Sequence, residues 1–137
     1  VRDCAEGKGR CDLLPLNVTC KWLGWEGKTL LAIALFIESK KIEDLFLALN
    51  SAYKELGYAD RESAILDVAK QFEDGATKYG DRNWERGIPI HCYIDSAIRH
   101  YLKWRKGDTD EPHDRAVLWN LMCCAWTMFR KPELLDL

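Results

Sequence analysis

The stretch "AVLWNLMCCAWTMF", Ala116 to Phe129, is apolar on nearly every side of the helix that it would form. Such a helix is normally central in a protein, because none of its faces gains from contact with water. The stretch also lacks the apolar–polar alternation of a half-exposed strand. It therefore predicts a central helix over about 112–130, against which the other elements pack.

Apolar residues recur at intervals of three and four along much of the remaining chain, and strand-like alternation is scarce. In 60–79 they form one apolar stripe from Ala64 to Tyr79, with Asp60 as the expected N-cap and Gly80 as the stop. The other predicted helices cover about 15–23, 29–39, 42–56 and 91–106. The sequence thus predicts an all-α fold: a bundle of about five to six helices in a single domain, 1–137, which begins with a polar arm at 1–12.

Composition narrows the classes of function. The net charge of −2 argues against bulk electrostatic binding to duplex nucleic acid. The polar first residues predict no signal peptide, and the longest apolar run, Leu30 to Ile37, is too short to span a membrane. The six cysteines contain no C-x-x-C pair, which favours free, mostly buried thiols in a reducing cytosol over a zinc site or disulfides. We therefore expect a cytoplasmic protein.

The segment "EDGATKYGDRNWERG", Glu73 to Gly87, combines groups that a nucleotide needs. Lys78 and Arg82 offer cations for phosphates, Asn83 offers a donor and an acceptor for a base edge, and Trp84 offers a stacking face. The alternative is a basic loop with one anchoring tryptophan.

The arm "EGKGRCD", Glu6 to Asp12, places Lys8 and Arg10 among glycines that would let the backbone approach an anion. The alternative is a frayed terminus that carries ordinary surface charges.

Acidic residues crowd the ends of three predicted helices. Glu73 lies near the end of 60–79, Asp95 lies at the start of 91–106, and Asp108, Asp110, Glu111 and Asp114 precede or begin the last helix. If these carboxylates converge, their mutual repulsion requires a cation, and oxygen ligands select Mg²⁺ or Mn²⁺. The alternative is that they cap helices and complement helix dipoles.

Polar residues recur every seven positions on the otherwise apolar last helix: His113, Asn120 and Thr127. A buried asparagine must find a partner, so these residues either support a ligand site or form a polar network in the core. His100 stands beside Arg99, and one of the two can face a cavity.

Four blocks of the chain together resemble the dATP/dGTP diphosphohydrolase N-terminal domain family, which is found largely in phage genomes. They are "GKGRCDLLP", "FEDGATKYGDRNWERGIP", "DSAIRHYLK" and "DTDEPHDRAVLWN". The resemblance spans 7–15, 72–106 and 108–127, and it sets apart about 20–60 as a variable helical insertion. MazG-type enzymes carry an E-x-x-E motif and then E-x-x-D; this chain has no E-x-x-E, and an E-x-x-D occurs at Glu111 and Asp114.

The resemblance implies a MazG-like all-α fold, a homo-oligomer, and Mg²⁺-dependent hydrolysis of a purine deoxynucleoside triphosphate (dGTP or dATP) to monophosphate and pyrophosphate. Some relatives supply dGMP for genomes that contain 2-aminoadenine. On this hypothesis the metal ligands are Glu73, Asp95, Asp110 and Asp114. The catalytic carboxylates are Glu73, Asp114 and Glu111, with Glu111 as general base.

The substrate-binding residues on this hypothesis are Lys8, Arg10, Lys78, Arg82, Asn83, Trp84, Arg99, His100, His113 and Asn120. Two other functions remain open. The missing E-x-x-E favours a phage protein that sequesters a nucleotide or an immune signalling molecule without hydrolysis. The third is a small structural or interaction domain.

Overall fold

A computed structural model describes residues 6–24 and 26–137; the first five residues of the predicted arm, Cys4 among them, lie outside this range. The helices are α1 Leu16–Leu23, α2 Lys28–Ser39, α3 Ile42–Glu55, α4 Arg61–Tyr79, α5 Ile90–Arg105 and α6 His113–Arg130. Short 3₁₀ turns cover Cys11–Leu13, Asn83–Arg86 and Pro132–Leu134. The described residues contain no strand, so the prediction of an all-α bundle is confirmed. None of the described helices has the length and apolarity needed to cross a bilayer.

Helix α6 is central, as its sequence predicts. It packs against α3, α4 and α5, while α2 packs against α3 and α1 against α2. Its side chains at Val117, Leu121 and Cys124 are fully buried. Because α6 packs against three other helices, most of its side chains are buried, which explains why its sequence is apolar nearly all round.

Helix α5 carries a buried ion pair that fastens the N-terminal segment. Asp95 is 2% exposed, and both of its carboxylate oxygens lie 2.6 Å from Arg99 Nη2. The Cys11 amide donates to Asp95 Oδ1 at 2.7 Å, and Arg99 Nη2 donates to the Gly9 carbonyl at 2.7 Å. Each charge is therefore paired inside the protein, as burial requires.

Glu55 joins three helices at the other end of α5. Its Oε1 accepts from the Thr29 amide at 3.0 Å and from Thr29 Oγ1 at 2.7 Å. Its Oε2 accepts from Tyr101 Oη at 2.5 Å and from Arg105 Nη1 at 3.2 Å. A carboxylate at the end of α3 thereby fixes the start of α2 and the last turns of α5.

Helix α4 shows where the sequence pattern overstates burial. Asp60 caps it as predicted, accepting from the Ser63 amide at 2.7 Å. Ala64 and Val68 are buried, but Ile65 and Tyr79 are 54% and 55% exposed. Because α4 lies on α6 along a narrow face, part of the apolar stripe remains in solvent.

The prediction of free thiols is correct for some of the described cysteines and wrong for Cys92. Cys11, Cys20 and Cys124 have free thiols, and burial raises the pKa of the Cys124 thiol far above its ordinary value. Cys92, however, is disulfide-bonded. Spacing along the chain did not reveal this, because a disulfide depends on proximity in the fold rather than in the sequence.

We expect Asp95→Ala to lower the free energy of unfolding by about 3–5 kcal/mol, because it leaves the Arg99 guanidinium buried and unpaired. Denaturant unfolding followed by circular dichroism measures this loss. The exposed pair Arg82–Glu85, at 3.8 Å, supplies the control: Glu85→Gln should change stability by less than about 1 kcal/mol. Equal losses in the two variants would contradict the structural role of the Asp95–Arg99 pair.

We expect the protein to lose stability as the pH rises above the ordinary tyrosine pKa of about 10. Burial raises the pKa of Tyr58, Tyr93 and Tyr101, and hydrogen bonds to Asp67 and Glu55 reinforce the rise at Tyr58 and Tyr101. In the native state these phenols stay protonated while the unfolded chain ionises, so the equilibrium shifts towards unfolding with increasing pH. Tyrosinate absorbance from these residues should appear together with loss of helicity, and Tyr58→Phe should flatten the alkaline decline. Ionisation of all tyrosines before any unfolding would contradict this.

Candidate functional site

A cleft of about 220 Å³ lies between α4, the turn Asn83–Arg86 and the start of α6. Its lining combines charged, amide and aromatic side chains: Gln71, Asp74, Lys78, Tyr79, Asn83, Trp84, Glu111 and Trp119. A wider groove of about 750 Å³ lies between α1, α2 and α3, but aliphatic side chains dominate its lining. The smaller cleft therefore offers the better chemistry for a charged, aromatic ligand.

The backbone after α4 places two predicted contact residues in this cleft. Gly80, at φ +94°, ends the helix, and Arg82 adopts a left-handed conformation at φ +58°. The chain then folds back so that Asn83 and Trp84 face α4. Asn83 Oδ1 lies 3.7 Å from the point that a Cβ on Gly75 would occupy, so the Asn83 amide lies against the α4 backbone at Gly75.

Trp84 is both an anchor and a cleft wall. Its ring packs edge-to-face on Phe72, with centroids 5.5 Å apart, and on Trp126, with centroids 4.9 Å apart. Phe72 in turn contacts Trp119 at 6.0 Å. The anchoring interpretation is thus supported, and part of the half-buried ring still lines the cleft.

Arg115 braces the cleft from α6, and sequence reasoning missed it. Its Nη2 lies 2.8 Å from Asp74 Oδ2, and its Nε donates to Gln71 Oε1 at 3.1 Å. These bonds cross from α6 to α4 and fix two lining side chains. No local motif marks the arginine, because its partners lie more than 40 residues away.

Two imidazoles and a carboxylate meet where α5 ends and α6 begins. His100 Nδ1 lies 2.9 Å from His113 Nδ1 and 3.9 Å from Glu111 Oε1. His113 Nε2 lies 2.7 Å from Asp110 Oδ1, and this hydrogen bond holds the pKa of Asp110 below its ordinary value. Glu111 also lines the cleft, so the cluster adjoins the cleft through this residue.

The four predicted metal ligands are not brought together among the described residues. Asp95 is paired with Arg99, and Glu73 is exposed on α4 outside the cleft lining. Asp114 accepts from the Arg115 amide at 2.8 Å and lies beside Tyr58, whose hydroxyl donates to Asp67. In the described ranges, sets of three or more ligand atoms form in two places, His100–Glu111–His113 and Asp108–Asp110–His113.

The cationic side chains predicted to bind phosphates do not lie together in the structure. Lys78 lines the cleft, whereas Arg82 is exposed and lies 3.8 Å from Glu85. Lys8 is exposed, and Arg10 makes a two-pronged contact with Asp12 at 3.1 and 2.6 Å. Arg99 is bound to Asp95 and Gly9.

The three polar residues that recur every seven positions on α6 have different surroundings: two lie in the core and one belongs to the histidine cluster. Asn120 Nδ2 donates to the Ala116 carbonyl at 2.8 Å, and Thr127 Oγ1 donates to the Cys123 carbonyl at 2.8 Å. Both are buried, which supports the core interpretation for these two residues. His113 is equally buried but pairs with His100 and Asp110 beside the cleft residue Glu111.

Comparison with known proteins supplies one match. The family model described as dATP/dGTP diphosphohydrolase, N-terminal, matches residues 57–136. It covers more than half of the chain, so the chain belongs to this family. The matched range contains α4, the turn Asn83–Arg86, α5 and α6, and hence the whole cleft. No curated protein and no solved structure matches the chain.

We expect Trp84→Ala to lower the free energy of unfolding by about 2 kcal/mol, because it removes two edge-to-face aromatic contacts and opens a gap between α4 and α6. Trp22, which is 91% exposed, supplies the matched control: Trp22→Ala should stay within about 0.5 kcal/mol of the parent. Denaturant unfolding of both variants makes the comparison. Equal stability of Trp84→Ala and the parent would contradict the anchoring role.

Proposed function

We propose that this member of the dATP/dGTP diphosphohydrolase N-terminal family hydrolyses a purine deoxynucleoside triphosphate, dGTP or dATP, to the monophosphate and pyrophosphate. The observation that carries the proposal is the cleft, which lies wholly within the matched range and joins Lys78, Asn83, Trp84 and Glu111. These residues supply a cation, an amide, an aromatic ring and a carboxylate. The name of the family supplies the reaction class.

The size of the cleft suggests how a nucleotide would lie. About 220 Å³ is below the 300–1,000 Å³ of a typical pocket for a whole small ligand. The base and sugar fit such a space, with the base against Trp84 and its edge at Asn83. The triphosphate would then extend towards the exposed Lys78 at the end of α4.

Glu111 is the proposed general base. Its side chain is 49% exposed and lines the cleft, so a water molecule can reach it. In the reaction, water attacks the α-phosphorus, its proton passes to Glu111, and the bond to the bridging α,β-oxygen breaks as pyrophosphate leaves. Glu73 and Asp114, predicted to act with Glu111, lie outside the cleft lining, and the mechanism assigns them no step.

The donor atoms of the described residues do not suit the magnesium ion that the family resemblance implies. Mg²⁺ prefers six oxygen ligands in a near-ideal octahedron. In the described residues both sets of three or more candidate ligands include His113, and no set consists of carboxylates alone. The residues therefore do not fit a magnesium site in a single chain, and no step is routed through one.

Sequestration without hydrolysis is the second candidate. It is favoured by the same observation: the cleft has groups for binding, but the predicted carboxylates do not assemble beside it. A homo-oligomer also remains a prediction, which light scattering coupled to size-exclusion chromatography measures.

We expect the purified protein to release monophosphate and pyrophosphate from dGTP or dATP when divalent cations are present. Glu111→Gln should lower kcat by a factor on the order of 100 or more and still bind nucleotide, because it removes the proton acceptor and keeps the shape. Ion-exchange chromatography of the products measures turnover, and quenching of tryptophan fluorescence measures binding.

Exposed residues away from the cleft supply the controls. Glu62→Gln should keep the parental kcat, and Lys21→Ala should keep the parental KM, whereas Lys78→Ala should raise KM. Tight binding without release of pyrophosphate would overturn hydrolysis and favour sequestration. Absence of both binding and turnover would favour the structural or interaction domain.

A further inference from the structure

The cluster His100–Glu111–His113 has the composition of a metal site. One ligand atom from each residue lies within 4.8 Å of the other two. The residues come from the last turns of α5, the connecting loop and the first residue of α6. The packing of α5 on α6 therefore brings the three donors together, although 13 positions separate the histidines.

The hydrogen bond to Asp110 determines which nitrogen His113 presents. An ionised carboxylate only accepts hydrogen bonds, so His113 Nε2, 2.7 Å from Asp110 Oδ1, carries the proton. The other ring nitrogen, Nδ1, is then the one that faces His100. Metal-binding histidines typically donate their second nitrogen to a carboxylate in this way, which fixes the tautomer and the ring orientation.

The pair of facing nitrogens is close to the spacing that a metal ion requires. His113 Nδ1 and His100 Nδ1 lie 2.9 Å apart, which is a hydrogen-bond distance, so one of the two nitrogens carries the shared proton. A metal ion can replace that proton and bind both nitrogens. Two imidazole nitrogens bound to one tetrahedral zinc lie about 3.3 Å apart, from bond lengths of about 2.0 Å. Metal binding would therefore require the pair to open by about 0.4 Å.

We propose that His100, His113 and Glu111 bind a divalent transition-metal ion, such as Zn²⁺ or Co²⁺, beside the cleft. Two imidazoles and one carboxylate suit these ions and disfavour Mg²⁺ and Ca²⁺, which select oxygen. Three protein ligands leave a coordination position open, as in catalytic rather than structural sites.

The site lies where the proposed reaction would use it. Glu111 belongs to both the cluster and the cleft lining, so an ion bound there would lie beside the cleft, within reach of water or a phosphate oxygen. If one carboxylate oxygen binds the ion, the other stays available to receive a proton. Metal binding does not depend on the proposed hydrolysis; its use on a phosphate rests on the proposed function.

The test is cobalt binding to the full chain, prepared without a histidine tag and freed of metal with a chelator. Ligand-field absorption on titration with Co²⁺ reports the site, and absence of thiolate-to-cobalt charge transfer excludes the free cysteines as ligands. We expect a single ion per chain to bind. His100→Gln and Glu111→Gln should each weaken binding at least tenfold. Both residues are outside the fully buried core, and circular dichroism confirms that the variants fold.

His91 is the matched control, because it is the third histidine of the chain and pairs with Asp136 away from the cluster. His91→Gln should bind Co²⁺ like the parent. The proposal is overturned if the parent shows no ligand-field band, if His100→Gln binds like the parent, or if an equal concentration of Mg²⁺ displaces Co²⁺. Cobalt binding without nucleotide hydrolysis would sustain the metal site and count against the proposed function alone.

Discussion

The polar side chains buried along α5 constrain the rest of the molecule, because a buried charge or hydroxyl must be paired. Asp95 and Arg99 find partners in each other and in the backbone of Gly9 and Cys11, far away in the sequence. Tyr101 finds its partner in Glu55, which also accepts from Thr29. The N-terminal segment, α2 and α3 thus take positions set by what α5 needs to bury.

The same constraint orients the metal-binding candidates. Successive residues of a helix point about 100° apart, so burial of Arg99 on one side turns His100 towards another. That other direction is the start of α6, where His113 is 1% exposed and pinned by Asp110. A pair that serves stability therefore fixes the direction of a histidine at the cleft. A one-residue shift in α5 would therefore disrupt both the Asp95–Arg99 pair and the contact between His100 and His113.

Sequence periodicity predicted all six helices closely, because helix formation and amphipathic burial are local properties. The predicted carboxylates do not form a cluster among the described residues, because the partner of each acid depends on the fold. For Asp95 the decisive signal was present in the sequence: Arg99 follows at i+4, the spacing of a helical ion pair. For Asp74 no such signal exists, because Arg115 reaches it from another helix. Likewise, only folding reveals the disulfide at Cys92.

Position along α6 explains why the hydrogen bonds of His113 differ from those of Asn120 and Thr127. Asn120 and Thr127 each donate to the carbonyl four residues earlier, so the helix supplies each of them with an acceptor. His113 is the first residue of α6 and has no preceding helical turn to bond with. Its ring must therefore find partners outside the helix, and it finds Asp110 in the loop and His100 on α5. The heptad spacing places the three residues on one face of α6. Asn120 and Thr127 bond to the preceding turn of the helix, whereas His113, at the first position of α6, is able to contribute to a site outside the helix.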